Sequence, residues 1–377
     1  MTRDGYLPEE LRTAFRHHWF PVARAEDLHR PQPVQLLDER LVAFRDAGGR
    51  PRVTARRCIH RGADLSAGRV DDTGLRCPYH GWSFDGSTGE CTTIPSLEDG
   101  GQIPARARIA TYPVMERFGH VWTSLEEPVL DVPGVADIPE IAELDLLWAT
   151  GRPIPVECGF MAQVENFRDV AHFPHVHQAS MGDLDPVVPN LRVRREGREV
   201  WGTYHYPEVP GAQFSEAGAC DFTFHGYAPG IATILADYGK GGKRFLMDFP
   251  CPVSQDRCVI FWAIAVERTF TAGTLEGMRA LETQVYEEDT LVINSLDPAE
   301  VPLAGEVEEV SSPADAYTLT FRKGTRYAVD EIRRAHLAMP DRSGRSSRAV
   351  HHVGQPLSWA IGSASPDERP PSRSPAR

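Results

Sequence analysis

Cys58-Ile59-His60 and, after sixteen intervening residues, Cys77-Pro78-Tyr79-His80 set a C-x-H pair and a C-x-x-H pair in two glycine-bearing loops. Each loop offers one thiolate and one imidazole. Two thiolates can hold one iron of a 2Fe-2S cluster while two neutral imidazoles hold the other, which raises its potential above that of an all-cysteine cluster. A Cys2His2 set also suits tetrahedral zinc, the competing reading of these residues. Zinc fingers usually group their ligands as C-x₂₋₄-C and H-x₃₋₅-H. One Cys and one His per loop instead matches a cluster whose two irons differ chemically.

Outward from these loops, the first third of the chain reads as short strands separated by Gly, Asp and Pro turns: 34–37, 41–44, 52–55 and 119–123. That pattern predicts a small all-β domain. The Pro-rich passage 126–139 is the candidate linker to a second domain, with the boundary near residue 130. Beyond it, strand-like runs at 223–226, 231–236 and 258–266 mix with one long helical stretch, about 274–296, which predicts an α+β fold. The expected division is 1–129, 130–355 and a tail from 356 whose Pro-, Ser- and Arg-rich end cannot bury apolar area. No internal repeat is evident.

The second half carries its own constellation. Residues 165–177 read ENFRDVAHFPHVH, with Asp169 and His172 three apart, the spacing of one helical face. His177 lies five helical steps from His172, about 140° of rotation on an ideal helix, so a local break is needed before both reach one metal. Pro174 is the expected break. On the long helix, Met278, Leu281, Val285, Val292 and Leu296 form an apolar stripe, with Asp289 on the same stripe and Glu287 opposite. A carboxylate on a buried face is costly unless it is paired or binds metal. His172, His177 and Asp289 would then form a 2-His-1-carboxylate triad with positions left open for dioxygen. The bland alternatives are ordinary core histidines and a solvated aspartate in an acidic run.

The stretches CIHRGADLSAG and CPYHGWSFDGSTGEC, followed by Ile94-Pro95-Ser96, resemble the Rieske non-heme iron oxygenases, as do HWFPVA (18–23) and RFGHVWT (117–123). The segment from Asn166 through Asp169 and His172 to His177 is similar to that family's N-x-x-D-x-x-H-x₄-H, and Glu288-Asp289 to its late E-D pair. The resemblance implies an N-terminal Rieske 2Fe-2S domain followed by a helix-grip-like catalytic domain with an antiparallel sheet. Cys58, His60, Cys77 and His80 would be the cluster ligands, with Arg61, Gly81 and Trp82 packed around them. His172, His177 and Asp289 would hold Fe(II). By the same resemblance, Asp169 joins His80 of one subunit to His172 of the next in a homotrimer, and Asn166 belongs to the catalytic segment. His175 is left as a pocket wall or a support for the ligands. The implied activity is hydroxylation or oxidative O- or N-demethylation of a small aromatic or polycyclic molecule. Dioxygen would be the co-substrate, and NAD(P)H electrons would arrive through a separate reductase or ferredoxin.

Bulk properties bound the remaining options. With 53 acidic against 40 basic residues the net charge is -13, which argues against a nucleic-acid partner. The N-terminus lacks the apolar core of a signal peptide and no window approaches the roughly 20 apolar residues of a membrane span, so a cytoplasmic protein is expected. Seven cysteines are an odd number for a closed disulfide framework; Cys91, Cys158, Cys220, Cys251 and Cys258 read as reduced, buried side chains. No G-x-G-x-x-G follows a strand and no plant-type ferredoxin spacing is present, so a fused reductase is not expected. Strand residues between Phe222 and Trp262 are expected to build the substrate pocket. A Rieske electron carrier and a zinc-stabilised binding protein remain as the alternative classes.

Overall fold

The computed structural model describes residues 9–188, 191–209, 219–301 and 309–338; the proposed tail lies outside them. The N-terminal part contains α1 (Glu9–Phe15) and ten short strands: β1 (Phe20–Arg24), β2 (Gln32–Leu36), β3 (Glu39–Arg45), β4 (Pro51–Ala55), β5 (Arg69–Asp71), β6 (Gly74–Arg76), β7 (Ser83–Phe84), β8 (Cys91–Thr93), β9 (Val114–Arg117) and β10 (His120–Thr123). They form three antiparallel sheets, ordered β1-β10-β9, β2-β3-β4 and β5-β6-β7-β8.

Strand β3 explains how so small a domain carries two cores. Side chains alternate across a strand, and here both faces are covered. Leu41 and Ala43 face the main core with α1 and β1. Val42 and Phe44 face a separate core with Leu65, Leu75, Phe84 and the two cysteines of the paired loops. The cysteines are thus set into the floor of a packed lobe.

The second part continues with β11 (Leu146–Thr150), β12 (Ile154–Val156), α2 (Phe160–Asn166), α3 (Phe173–Val176), α4 (Gln178–Met181), β13 (Arg192–Glu196), β14 (Glu199–Tyr206), β15 (Cys220–Tyr227), β16 (Ile231–Asp237), β17 (Lys243–Pro252), β18 (Cys258–Glu267), α5 (Leu275–Ile293) and α6 (Ala316–Ala338). One antiparallel sheet runs β11-β18-β17-β16-β15-β14-β13, with β12 also paired to β18. β17 and β18 are buried along nearly their whole length. Helices α2 and α5 cover one side of them, and the β1-β10 sheet docks on the other. Trp122 packs edge-on to Phe249 at 5.0 Å, the kind of pair worth about 0.5–1.5 kcal/mol beyond its buried area. The β2–β3 turn is held to the same sheet. Leu37 and Asp38 adopt positive φ, and their N–H groups donate to Pro252 and Val253 carbonyls at 2.7 and 2.9 Å.

Three expectations need correction. The 126–139 passage is no free tether, because Leu130, Val132 and Ile138 are buried in the main core and Glu126 and Val129 donate backbone hydrogen bonds to Arg16 and His17. Its prolines stop regular structure without removing apolar anchors. The stripe on α5 runs through Met278, Leu281, Val285, Asp289 and Ile293, with Glu282 and Tyr286 beside it. Val292 and Leu296 are 45% and 41% exposed, since the buried face continues through Ile293 and Leu296 lies past the helix end. Finally, Asp169 and His172 do not share a helix. α2 stops at Asn166, and Pro174 lies in the first turn of α3, where a missing N–H costs nothing. The chain bends before His172 and again at His177, between α3 and α4.

Candidate metal centres

The two N-terminal loops are built alike. In each, the Cys carbonyl accepts from a glycine four residues on: Gly62 to Cys58 at 2.9 Å and Gly81 to Cys77 at 3.2 Å. In each, the Cys N–H donates to the carbonyl five residues on, Ala63 at 2.9 Å and Trp82 at 2.8 Å. Gly62 and Gly81 sit at φ 77° and 70°, the left-handed region that side chains other than glycine rarely enter. The closures turn both imidazoles to the rim above the buried cysteines. His60 and His80 have ring centroids 4.6 Å apart, and Trp82 stacks on His60 at 4.4 Å with planes 6° apart.

These loops fit a two-iron centre better than one zinc ion. The Nδ1 atom of His60 is buried with no hydrogen-bond partner, as an imidazole nitrogen reserved for a metal would be. A single zinc needs all four ligand atoms around one point. Among the described residues, only His172, His177 and Asp289 bring three or more possible ligand atoms within 4.8 Å of one another. The Cys58 thiol is pushed up to about 11 by burial; the His60 and Arg61 amides pull it down, while the adjacent Cys77 raises it further. Arg61 contributes that amide, and its side chain is exposed instead of packed as expected.

The second centre gathers residues far apart in sequence. His172 Nε2 lies 3.1 Å from His177 Nε2 and 3.4 Å from Asp289 Oδ1, and His177 Nε2 lies 3.3 Å from the same oxygen. Around a single ion with bonds of about 2.1 Å these separations correspond to ligand angles of about 95–108°, which suits three neighbouring positions of a metal with its other side open. Both histidines turn Nε2 inward and Nδ1 toward a carboxylate behind. Asp169 receives His172 Nδ1 at 3.2 Å, and Glu288 receives His177 Nδ1 at 2.8 Å. Such acceptors fix the tautomer that leaves Nε2 available to a metal. Asp169 is oriented by accepting from the Ala171 N–H. Asn166 donates from Nδ2 to Asp289 Oδ1 at 3.1 Å and so steadies the proposed carboxylate ligand.

Electrostatics agree with a pocket made for positive charge. Burial raises the Asp289 carboxyl, but the two imidazoles more than offset it and hold it down to about 2. Burial lowers His172, yet Asp169 and Asp289 outweigh it and raise the ring to about 9. Glu300, buried beneath α2, accepts from Met161 and Ala162 at 2.9 and 3.2 Å and anchors the helix that carries Asn166. A Cβ on Gly159 would lie 2.4 Å from Glu300 Oε2, so only glycine permits this approach.

His175 is exposed and lines no cavity with the triad, contrary to its expected place in the wall: the α3 turn points it away. Sequence reasoning did not assign a role to Glu288, although its place beside Asp289 was visible. It also missed Arg244 and Glu282, which form a buried ion pair in the same cavity. The available signal was a second carboxylate on the buried face of α5, seven residues before Asp289. Of the predicted pocket region, Phe222, Ile234 and Leu246 line the cavity, while Trp262 is packed under Tyr286.

The chain matches the Rieske [2Fe-2S] domain over residues 18–113 and the vanillate O-demethylase oxygenase C-terminal domain over residues 156–331. It is 28% identical over 337 residues to methylxanthine N1-demethylase NdmA of Pseudomonas putida, spanning 86% of this chain and 91% of that protein. Against methylxanthine N3-demethylase NdmB of the same organism it is 30% identical over 336 residues, spanning 83% and 89%. The solved structure of NdmA with caffeine superposes with a TM-score of 0.72 at 26% identity, covering 90% of this chain and all of that one (100%). Two metal-binding segments in this order, with similarity running through most of the chain, make it a member of the Rieske terminal oxygenases, enzymes that use a 2Fe-2S cluster, a mononuclear Fe(II) and dioxygen to hydroxylate or oxidatively demethylate small organic molecules.

Proposed function

We propose that Cys58, His60, Cys77 and His80 hold the cluster, that His172, His177 and Asp289 hold the iron, and that the division between the two domains falls near residue 130. The observation that carries this is the convergence of two Nε2 atoms and one carboxylate oxygen, each side chain backed by a polar partner. Bound there, the cluster would supply electrons and the iron would activate dioxygen beside the substrate. The protein's own part is to keep both rings in the Nε2-available tautomer through Asp169 and Glu288, hold Asp289 through Asn166, and exclude water with Phe167, Phe173 and Val285.

The reaction is demethylation or hydroxylation of a small aromatic or heteroaromatic compound, in keeping with the methylxanthine activities named for the relatives. Removal of a methyl group uses one dioxygen, two electrons and two protons, and yields demethylated product, formaldehyde and water. Electrons come from a separate reductase or ferredoxin. Assembly is a ring of three subunits in which His80 meets Asp169 of a neighbour; His80 is exposed and the Asp169 side chain is 29% exposed, so both are accessible to a second chain. No described helix is long and apolar enough to cross a membrane.

Product mass spectrometry under ¹⁸O-labelled dioxygen, with a surrogate reductase and a panel of methoxy- and N-methyl-arenes, tests the reading. The expected result is one labelled oxygen in a hydroxylated product, or formaldehyde equal to the demethylated product. Electron consumption without oxygen-dependent product from any compound would contradict it.

A further inference from the structure

Glu288 is itself held by side chains that have had no role so far. Its Oε2 receives both His177 Nδ1 at 2.8 Å and the Ser180 hydroxyl at 2.7 Å, and its Oε1 receives Gln284 Nε2 at 2.9 Å. Ser180 is fully buried in α4, and its Oγ also lies 3.4 Å from the His177 carbonyl, so its single hydrogen goes to the nearer carboxylate oxygen. Gln284 stands four residues before Glu288 on α5, the spacing at which helical side chains meet. Helix α4 is fixed in turn, because the Tyr206 hydroxyl donates to the Met181 carbonyl at 2.6 Å and the Met181 N–H donates to the His177 carbonyl at 2.6 Å. Behind the other ring the arrangement differs. Asp169 takes His172 Nδ1 on Oδ2 and the Ala171 N–H on Oδ1, whereas in Glu288 one oxygen serves both the ring and Ser180.

We propose that Ser180 and Gln284, acting through Glu288, set the reduction potential of the metal bound at His177. The negative charge of Glu288 is divided among three donors, and each hydrogen bond it accepts from elsewhere weakens its pull on the His177 Nδ1–H. A carboxylate that pulls harder on that N–H makes the ring a stronger electron donor to the metal and favours the oxidised ion. Ser180 and Gln284 therefore hold the site toward Fe(II), the form that meets dioxygen. Both act through another side chain and are positioning residues. The inference rests on the reading that His172, His177 and Asp289 hold iron.

An anaerobic potentiometric titration of the iron-loaded, cluster-bearing protein, followed by electron paramagnetic resonance, reads the ratio of Fe(III) to Fe(II) binding without turnover. Ser180→Ala and Gln284→Met each remove one donor and should each shift that ratio at least threefold toward Fe(III), a fall of about 28 mV at about 59 mV per tenfold. Glu288→Gln removes the charge itself and should move the ratio at least tenfold the other way, a rise of about 59 mV. The cluster signal in the same samples should keep its potential in every variant. Opposite signs separate tuning from mere support, since a loosened His177 would weaken both oxidation states alike and leave the ratio in place. With a high-spin ferric signal present, potentials unmoved by Ser180→Ala and Gln284→Met, or moved by Glu288→Gln in the same direction as theirs, overturn the tuning alone. Absence of that signal from the oxidised, iron-loaded protein overturns the iron reading, and the tuning falls with it.

Discussion

The proposed cluster loops and the proposed triad pocket would solve the same problem, presenting imidazole nitrogen to iron, by opposite means. The loops are local. Two near-identical turns within 25 residues, 58–82, raise His60 and His80 to the rim, and one stacked indole supports them. The triad is non-local: His177 and Asp289 are 112 residues apart and meet only after the sheet and α5 have packed. Each of its ligands is held from behind by Asp169, Glu288 or Asn166. A site exposed for electron entry can be made by turns, whereas a site that controls oxygen needs a core around it.

The contrast is broken most severely by His177→Ala, which removes a proposed ligand from the buried site alone. Iron should fall by about one per chain with sulfide and visible cluster absorption retained, and turnover should drop at least ~10³-fold, about 4 kcal/mol. Loss of the cluster absorption would mean the two centres are not independent. Asp169→Asn should keep both metals and still cut turnover at least ~100-fold in a reductase-coupled assay, about 2.7 kcal/mol. Unchanged product formation would remove Asp169 from the electron route.

Much of the proposed cluster site could be read from the sequence because its candidate ligands, glycines and Trp82 lie in two short windows. The triad was legible only in outline. The five-residue step from His172 to His177 demanded a bend, but Pro174 suggested the wrong place for it, since a proline in a first turn starts a helix. The α5 pattern located Asp289, yet Val292 and Ile293 compete for one face and only tertiary packing, against strands such as β11 and β18, decides between them. Glu288 and the Arg244–Glu282 pair were hidden because their partners are supplied by other elements.

Smaller effects sharpen the comparison. Glu288→Gln should weaken iron binding about 10–100-fold in chelator competition while the cluster stays intact; equal affinity would show that the carboxylate behind His177 does not position it. Trp82→Leu removes the stack on His60, worth about 1 kcal/mol, and should hasten aerobic bleaching of the cluster only a few-fold without lowering mononuclear iron. Asp248 probes the dielectric beneath the triad. Burial pushes its carboxyl up to about 7, against the opposing pull of Arg168 and the Tyr286 hydroxyl. A carboxyl raised on folding stabilises below its unfolded value of 3.8 and loses that contribution as pH rises through about 7. Asp248→Asn should therefore gain several degrees of melting temperature relative to the unmodified protein between pH 4.5 and pH 8; parallel melting curves would argue for a wetter interior.

The most direct test is elemental: iron, zinc and acid-labile sulfide measured on one purified, reconstituted sample. Two independent centres predict about three irons and two sulfides per chain and no stoichiometric zinc. Two irons and two sulfides, with the His172 pocket still metal-free under excess Fe(II), would contradict an oxygen-activating site and leave an electron carrier.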